Sequence, residues 1–254
     1  LRAPVDTIVA PLFPSGLPWV NADGSARQAS IIQRGKPMLV EFWDFCRANS
    51  LRTLPYMKAW HERYEPAGLR VIGVHCPGFD ASRDEQEVRD AVARLGIAYP
   101  VLIDEALELW RDYGNEGWPA RYLFDGHARL FDYHYGEGAY AETEVAIQEL
   151  VGVEREPLAP VRAEDAPEAE LLAQTADQDG AYSGPYEAGG VWAVLEGHGT
   201  VRVGDGAGGE REIAVEHPGA YQLLEHERHT TGVLELELGS GVRCLATCFT
   251  PGLA

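Results

Sequence analysis

The chain has 254 residues, 45% of them hydrophobic and 24% charged, which is ample for a real core and rules out a mainly disordered polymer. Its 21 Lys and Arg against 40 Asp and Glu leave a net charge of −19, which repels phosphate backbones and anionic lipid and argues against nucleic-acid binding. No apolar run approaches the ~20 residues that span a bilayer, and four cysteines are too few for a disulfide scaffold.

Residues 1–37 read as an irregular lead-in, broken by Pro4, Pro11, Pro14 and Pro18, with turn chemistry at Asn21-Ala22-Asp23-Gly24-Ser25. The apolar run 38–43 predicts a buried strand. A helix follows, with Asn49 or Ser50 as its cap. Leu51, Leu54, Met57, Trp60 and Tyr64 form its inner stripe, Pro55 predicts a kink and Gly68 an end. A second buried strand is expected over 69–75, then a polar helix over 82–95 with Val88, Val92 and Leu95 inward. A short apolar strand spans 99–103, and Asp104 opens a helix carrying Leu107 and Trp110. Residues 121–125 and 128–135 flank Gly126-His127, a hairpin signal, and 143–151 reads as a closing helix. Strands alternating with helices predict an α/β domain with a mostly parallel sheet over 1–152.

The composition changes at 153–180, where Pro157, Pro160 and Pro167 sit among Ala, Glu and Asp; this reads as an acidic linker, with Leu171-Leu172 as a short helical turn. Over 181–254 short apolar runs alternate with Gly-rich turns, the pattern of a small all-β sandwich or jelly roll.

The stretch richest in chemistry runs from Val40 to Pro55, where a strand gives way to a loop and then a helix. A thiol at such a helix start is acidified and nucleophilic. Phe42, Trp43, Asn49, Leu51, Arg52, Thr53, Leu54 and Pro55 resemble the thioredoxin domain of DipZ-type cytochrome c biogenesis proteins and their TlpA-like relatives. The likeness continues at Val71-Ile72-Gly73-Val74-His75, at Trp118-Pro119-Ala120-Arg121-Tyr122-Leu123 and at Gly136-Glu137-Gly138. In the β-rich part it is carried by Arg211-Glu212-Ile213, Tyr221-Gln222-Leu223, Glu225-His226, Gly232 and Phe249-Thr250-Pro251-Gly252.

This resemblance implies a thioredoxin-like fold, a thiol–disulfide exchange lineage and no cofactor beyond thiols. An ungapped match, however, puts the family's two exchange cysteines at Arg47 and Ser50, and no Cys-x-x-Cys occurs in the chain. Exchange needs an attacking thiolate and a resolving thiol, and a serine hydroxyl replaces neither. Cys46 lies one residue before the family's first cysteine, and Cys76 follows the strand ending at His75. If their strands are parallel neighbours, the two can approach the ~4.4–6.8 Å Cα separation of a disulfide; the alternative is two unrelated buried thiols. Substrates of such a pair would be polypeptide thiols or disulfides, or a peroxide. Arg47 can lower the Cys46 pKa, bind an anion at the helix start, or pair with Asp44. Glu41 stands where the family keeps a buried acid that relays protons to the resolving thiol. Trp118 and Pro119 match its cis-proline loop, whose backbone binds an extended substrate chain.

A non-catalytic peptide- or glycan-binding protein is the competing reading. Tyr182, Tyr186 and Trp192 offer an aromatic platform for a sugar. His226 and His229 with Glu225 and Glu227 read as a solvated loop without a four-ligand metal set. Cys244 and Cys248, four apart in a strand, point to one face as core cysteines. Residues 1–6 lack a signal peptide's basic start and apolar core. That favours the cytosol, with an extracytoplasmic location open if the N-terminus was trimmed, since family relatives act outside the cytoplasm.

Overall fold

A computed structural model describes residues 8–22 and 35–254; Pro4 and the turn residues Asp23, Gly24 and Ser25 lie outside this range. By contact density the chain divides into two units. The first comprises Leu1–Asp44, Asn49–Gly78 and Arg83–Val161; the second comprises Phe45–Ala48, Phe79–Ser82 and Arg162–Ala254.

The first unit is built on a six-stranded sheet of β1 (Trp19–Val20), β2 (Met38–Trp43), β3 (Arg70–His75), β4 (Val101–Ile103), β5 (Ala120–Phe124) and β6 (Leu130–Tyr135), in the order β1-β4-β3-β2-β5-β6. Strands β2, β3 and β4 run parallel, and β1, β5 and β6 are each antiparallel to their neighbours. Every residue of β2 is buried, because a central strand covered on both faces has no side left for polar alternation. Met38, Val40 and Phe42 face one core with Ile72, Val74, Leu102, Tyr122 and Phe124. The intervening residues Glu41 and Arg121 face the other side. There the Arg121 guanidinium lies 5.6 Å from the ring of Trp60 and 4.9 Å from that of Tyr140. These rings belong to α1 (Ala48–Tyr64) and α4 (Tyr140–Val151), which therefore cover that face.

Helix α1 begins at Ala48, so Asn49 and Ser50 fall inside its first turn and do not cap it. Ser50 Oγ instead accepts the N–H of Asp44 at 3.2 Å. Pro55 sits within the helix on its exposed side without ending it, and of the expected stripe Leu54, Met57, Trp60 and Tyr64 are buried. Helix α2 (Glu85–Arg94) is capped by Asp84, which accepts the N–H groups of Gln86 and Glu87 at 2.8 and 3.1 Å. Helix α3 (Glu108–Asp112) follows β4, and the hairpin joins β5 to β6 around Asp125, whose carboxylate accepts the N–H groups of His127 and Arg129.

The second unit is all-β. Its six-stranded antiparallel sheet, β11-β10-β12-β9-β13-β8, uses β8 (Gln178–Asp179), β9 (Gly184–Gly197), β10 (Gly199–Gly204), β11 (Glu210–Val215), β12 (Gly219–Leu238) and β13 (Val242–Thr250). The pairing of β12 with β9 shifts register at Gln222/Leu224, where β12 carries one extra residue as a bulge, and again at Glu225/Thr230. Tyr186, Val191, Leu195, Val201, Val203, Val215, Leu223, Leu234 and Phe249 share its core. Leu171-Leu172 is extended rather than helical: as β7 it pairs with β14 (Gly252–Leu253), because a strand partner satisfies its backbone. Among the described residues no helix is long and apolar enough to cross a membrane.

Candidate functional site

Parallel strands β2, β3 and β4 end at one sheet edge, and the residues just past them are polar and buried. Asp44, after β2, is wholly buried. Its Oδ2 accepts the Gly78 N–H at 2.7 Å, and its Oδ1 lies 3.5 Å from Nε2 of the equally buried His75. Cys76, after β3, donates its N–H to the Trp43 carbonyl at 3.0 Å, and its thiol reaches Oδ2 of Asp104 at 3.5 Å. Asp104, after β4, also accepts the N–H groups of Glu108 and Trp110 at 2.7 and 2.9 Å, anchoring α3. Burial, then the carboxylates of Asp104 and Asp44, push the Cys76 thiol well above its ordinary pKa.

Glu41 is 1% exposed, and among the described residues none donates a hydrogen bond to its carboxyl oxygens. Burial raises its pKa to about 8, against the pull of Arg121, its register partner on β5. On its other side stands Gly73. A Cβ there would lie 2.9 Å from Trp43 Nε1 and 3.2 Å from the Tyr99 ring, so the indole and phenol occupy the space beside the carboxyl. Arg121 donates to the Gly138 carbonyl at 2.5 Å, and Arg52 pairs with Glu137 at 2.7 Å.

The Trp118–Pro119 peptide is cis, as the resemblance implies. Trp118 Nε1 donates to the Cys76 carbonyl at 2.9 Å, which brings these two candidate residues together. Its ring pairs with that of Trp110, centroids 4.3 Å apart and planes tilted by 36°. The loop is held by Asn115, which donates to the Gly117 carbonyl at 3.1 Å and accepts the Tyr122 hydroxyl at 2.9 Å.

Cys46 is wholly buried and counts with the second unit, as does Arg47, whose guanidinium lies 4.6 Å from the centre of the Phe79 ring. Among the described residues no cysteine is in a disulfide. The residues the sequence reading passed over are Asp104, read only as a helix start, and Trp110, read only as helix packing. Their signal is positional: both follow a parallel strand ending at the same edge as Cys76.

Three expectations for the β unit change. A register shift at Cys244/Ala246 sets Cys244 opposite Leu195 in the core and Cys248 opposite Trp192 on the other face, so the two cysteines do not share one. A register shift in the β9–β12 pairing reverses the facing between Ala188 and Val191 and so separates Trp192 from Tyr186, which is 2% exposed and packs on Phe249; the three rings form no common platform. His226 and His229 lie within β12 rather than in a loop. His226 Nε2 is 2.8 Å from the Tyr186 hydroxyl, and His229 Nε2 is 3.9 Å from Glu187.

No family model matches the chain. Protein DipZ of Mycobacterium tuberculosis is 35% identical over 133 residues, covering 52% of this chain and 19% of that protein. The thiol-disulfide oxidoreductase YkuV of Bacillus subtilis is 25% identical over 118 residues, 46% of this chain and 77% of that one. The match to DipZ therefore takes in a minor part of that relative's length. Among solved structures, a thiol-disulfide isomerase from Corynebacterium glutamicum superposes with a TM-score of 0.50 at 21% identity, covering 57% of this chain and 98% of its own. A thioredoxin-like superfamily protein reaches 0.51 at 19% identity, covering 59% and 100%. At these identities the structures speak to fold, and the sequences to lineage. The parallel β2-β3-β4 core, the loop at Trp118-Pro119 and these likenesses agree: the chain carries a thioredoxin-like domain related to thiol-disulfide oxidoreductases, followed by a small β module.

Proposed function

We propose that this protein binds extended polypeptide at the Trp118–Pro119 loop of its thioredoxin-like domain, and that the ordinary dithiol exchange of its lineage is absent. With Arg47 and Ser50 at the positions the resemblance gives to the two cysteines, neither of those two positions supplies an attacking or a resolving thiol. The observation that carries this reading is the arrangement around Cys76. Its thiol is buried against Asp104, which disfavours the thiolate, while its carbonyl holds the half-buried indole of Trp118. Chemistry is suppressed there, and the side chain that would meet a bound chain is positioned.

A second reading keeps redox activity through Cys46 and Cys76. Cys46 as thiolate would attack a substrate disulfide or peroxide, and Cys76 would displace the product to close a Cys46–Cys76 disulfide. Glu41 would take the proton that Cys76 gives up. The raised pKa of Glu41 favours it, since a carboxyl near 8 can accept and release protons at neutral pH. The two are separated by peptide mapping of the non-reduced protein before and after mild peroxide and reductant, with insulin reduction in parallel. We expect Cys46 and Cys76 to remain thiols and insulin to stay oxidised. A reversible Cys46–Cys76 crosslink overturns the first reading and establishes the second.

A further inference from the structure

We propose that the polypeptide bound beside Trp118 presents cationic side chains, lysine or arginine, to the Trp110–Trp118 pair; this rests on the reading that a polypeptide occupies that loop. Both indoles are half-buried and both are held in place. Trp118 is fixed by its bond to the Cys76 carbonyl, and Trp110 stands edge-on to Phe42 with centroids 6.0 Å apart. Indole faces attract cations more strongly than other aromatic side chains do.

The segment that carries both rings supplies the complementary charge. Between β4 and Trp118 it contains Asp104, Glu105, Glu108, Asp112 and Glu116 against Arg111 alone. Asp104 is buried and engaged by the α3 backbone, and Glu105 pairs with Arg83 at 3.2 Å. Glu108, Asp112 and Glu116 are exposed on the same short stretch as Trp110. An anionic segment arriving here is repelled, and a neutral one gains ring contact only. A cationic one gains the ring faces within a net-acidic stretch, and the chain's charge of −19 speeds its approach.

The test is calorimetric titration of the full chain with short Gly/Ser peptides of equal length carrying lysine, methionine or glutamate at the same positions. We expect the lysine peptide to bind roughly three- to ten-fold tighter than the methionine peptide at low salt, and the glutamate peptide to bind weakest. The advantage should shrink at high salt and in the exposed double variant Glu108→Gln/Glu116→Gln. Trp110→Phe, which keeps an aromatic ring in place, should reduce it as well. Equal binding of lysine and methionine peptides overturns the cationic preference and leaves the polypeptide reading standing. A lysine preference untouched by any of these variants places the cation elsewhere on the acidic surface and also overturns it. Failure of all three peptides to bind removes both.

Discussion

Replacing Glu41 by Gln should change how stability depends on pH, and the size of the change follows from its burial. The carboxyl is 1% exposed, accepts no hydrogen bond among the described residues and has its pKa raised from 4.5 to about 8 by desolvation, with Arg121 opposing. Between those two values the folded chain holds a proton that the unfolded chain has released. The stability linked to that proton is fully present below about 4.5 and is lost as pH rises to about 8, after which the loss is constant. Each tenfold in proton affinity is ~1.4 kcal/mol, so the whole interval corresponds to about 5 kcal/mol. Gln is nearly isosteric and does not titrate. Glu41→Gln should therefore match the parent, or fall slightly below it, at pH 4, and exceed it by several kcal/mol at pH 9. Urea unfolding of both proteins across that range, followed by tryptophan fluorescence and far-UV circular dichroism because there are two units, measures the difference. Parallel pH profiles would mean that Glu41 is ionised in the folded protein, paired with Arg121 closely enough to offset its burial, and the argument would fail.

Other substitutions probe the same domain. Glu144 accepts Trp60 Nε1 at 3.2 Å, the Tyr64 hydroxyl at 2.5 Å and the Leu158 N–H at 2.8 Å, and lies 3.2 Å from Arg63. Glu144→Ala strands these donors and should cost about 3–5 kcal/mol in urea unfolding; a loss below 1 kcal/mol would show that the network contributes little. Gly73→Ala places a methyl 2.9 Å from Trp43 Nε1 and should cost about 1–3 kcal/mol, read as a fall in melting temperature. A thiol reagent added to native protein should modify Cys248 before Cys46 or Cys76, and slowly, because burial and then Asp177 raise the Cys248 pKa to about 12. Rapid native labelling of Cys46 or Cys76, located by mass spectrometry, would contradict their burial.

Much of the α/β domain was legible because its strands are apolar runs and its helices carry stripes. The run 38–43 and Met38–Trp43 coincide, and the Gly126-His127 hairpin appears where turn residues separate two strand-like segments. The error at Asn49 and Ser50 has a local cause. Both have good cap chemistry, but Ser50 is drawn into the turn by the Asp44 N–H, and the helix starts at Ala48, before either of them. In the β unit, strict two-residue alternation puts Cys244 and Cys248 on one face, and the aromatic platform takes Tyr182, Tyr186 and Trp192 together. Bulges, which a sequence read for alternation does not reveal, reversed the facing of Cys248 and Trp192. The edge cluster was hidden for another reason: Asp44, Cys76 and Asp104 are far apart in sequence and meet only because three parallel strands end together.

That meeting bears on the proposed reading, in which exchange is absent and recognition is kept. Exchange depends on a thiolate, and a thiolate needs access and positive charge nearby. The first unit offers the reverse at its strand ends, where Asp44 and Asp104 both raise the pKa of Cys76 and burial adds to them. Recognition depends on other atoms. The indole of Trp118 is fixed by a backbone carbonyl, which any side chain at position 76 would retain, and Trp110 is fixed by Phe42 and by the Asp104 carboxylate that accepts its N–H. Asp104 thus acts in two directions, holding the Cys76 thiol protonated while anchoring the helix that presents Trp110. Arg47 and Ser50, at the positions the resemblance gives to the exchange cysteines, are not among these supports, and on the proposed reading polypeptide binding does not depend on thiols there.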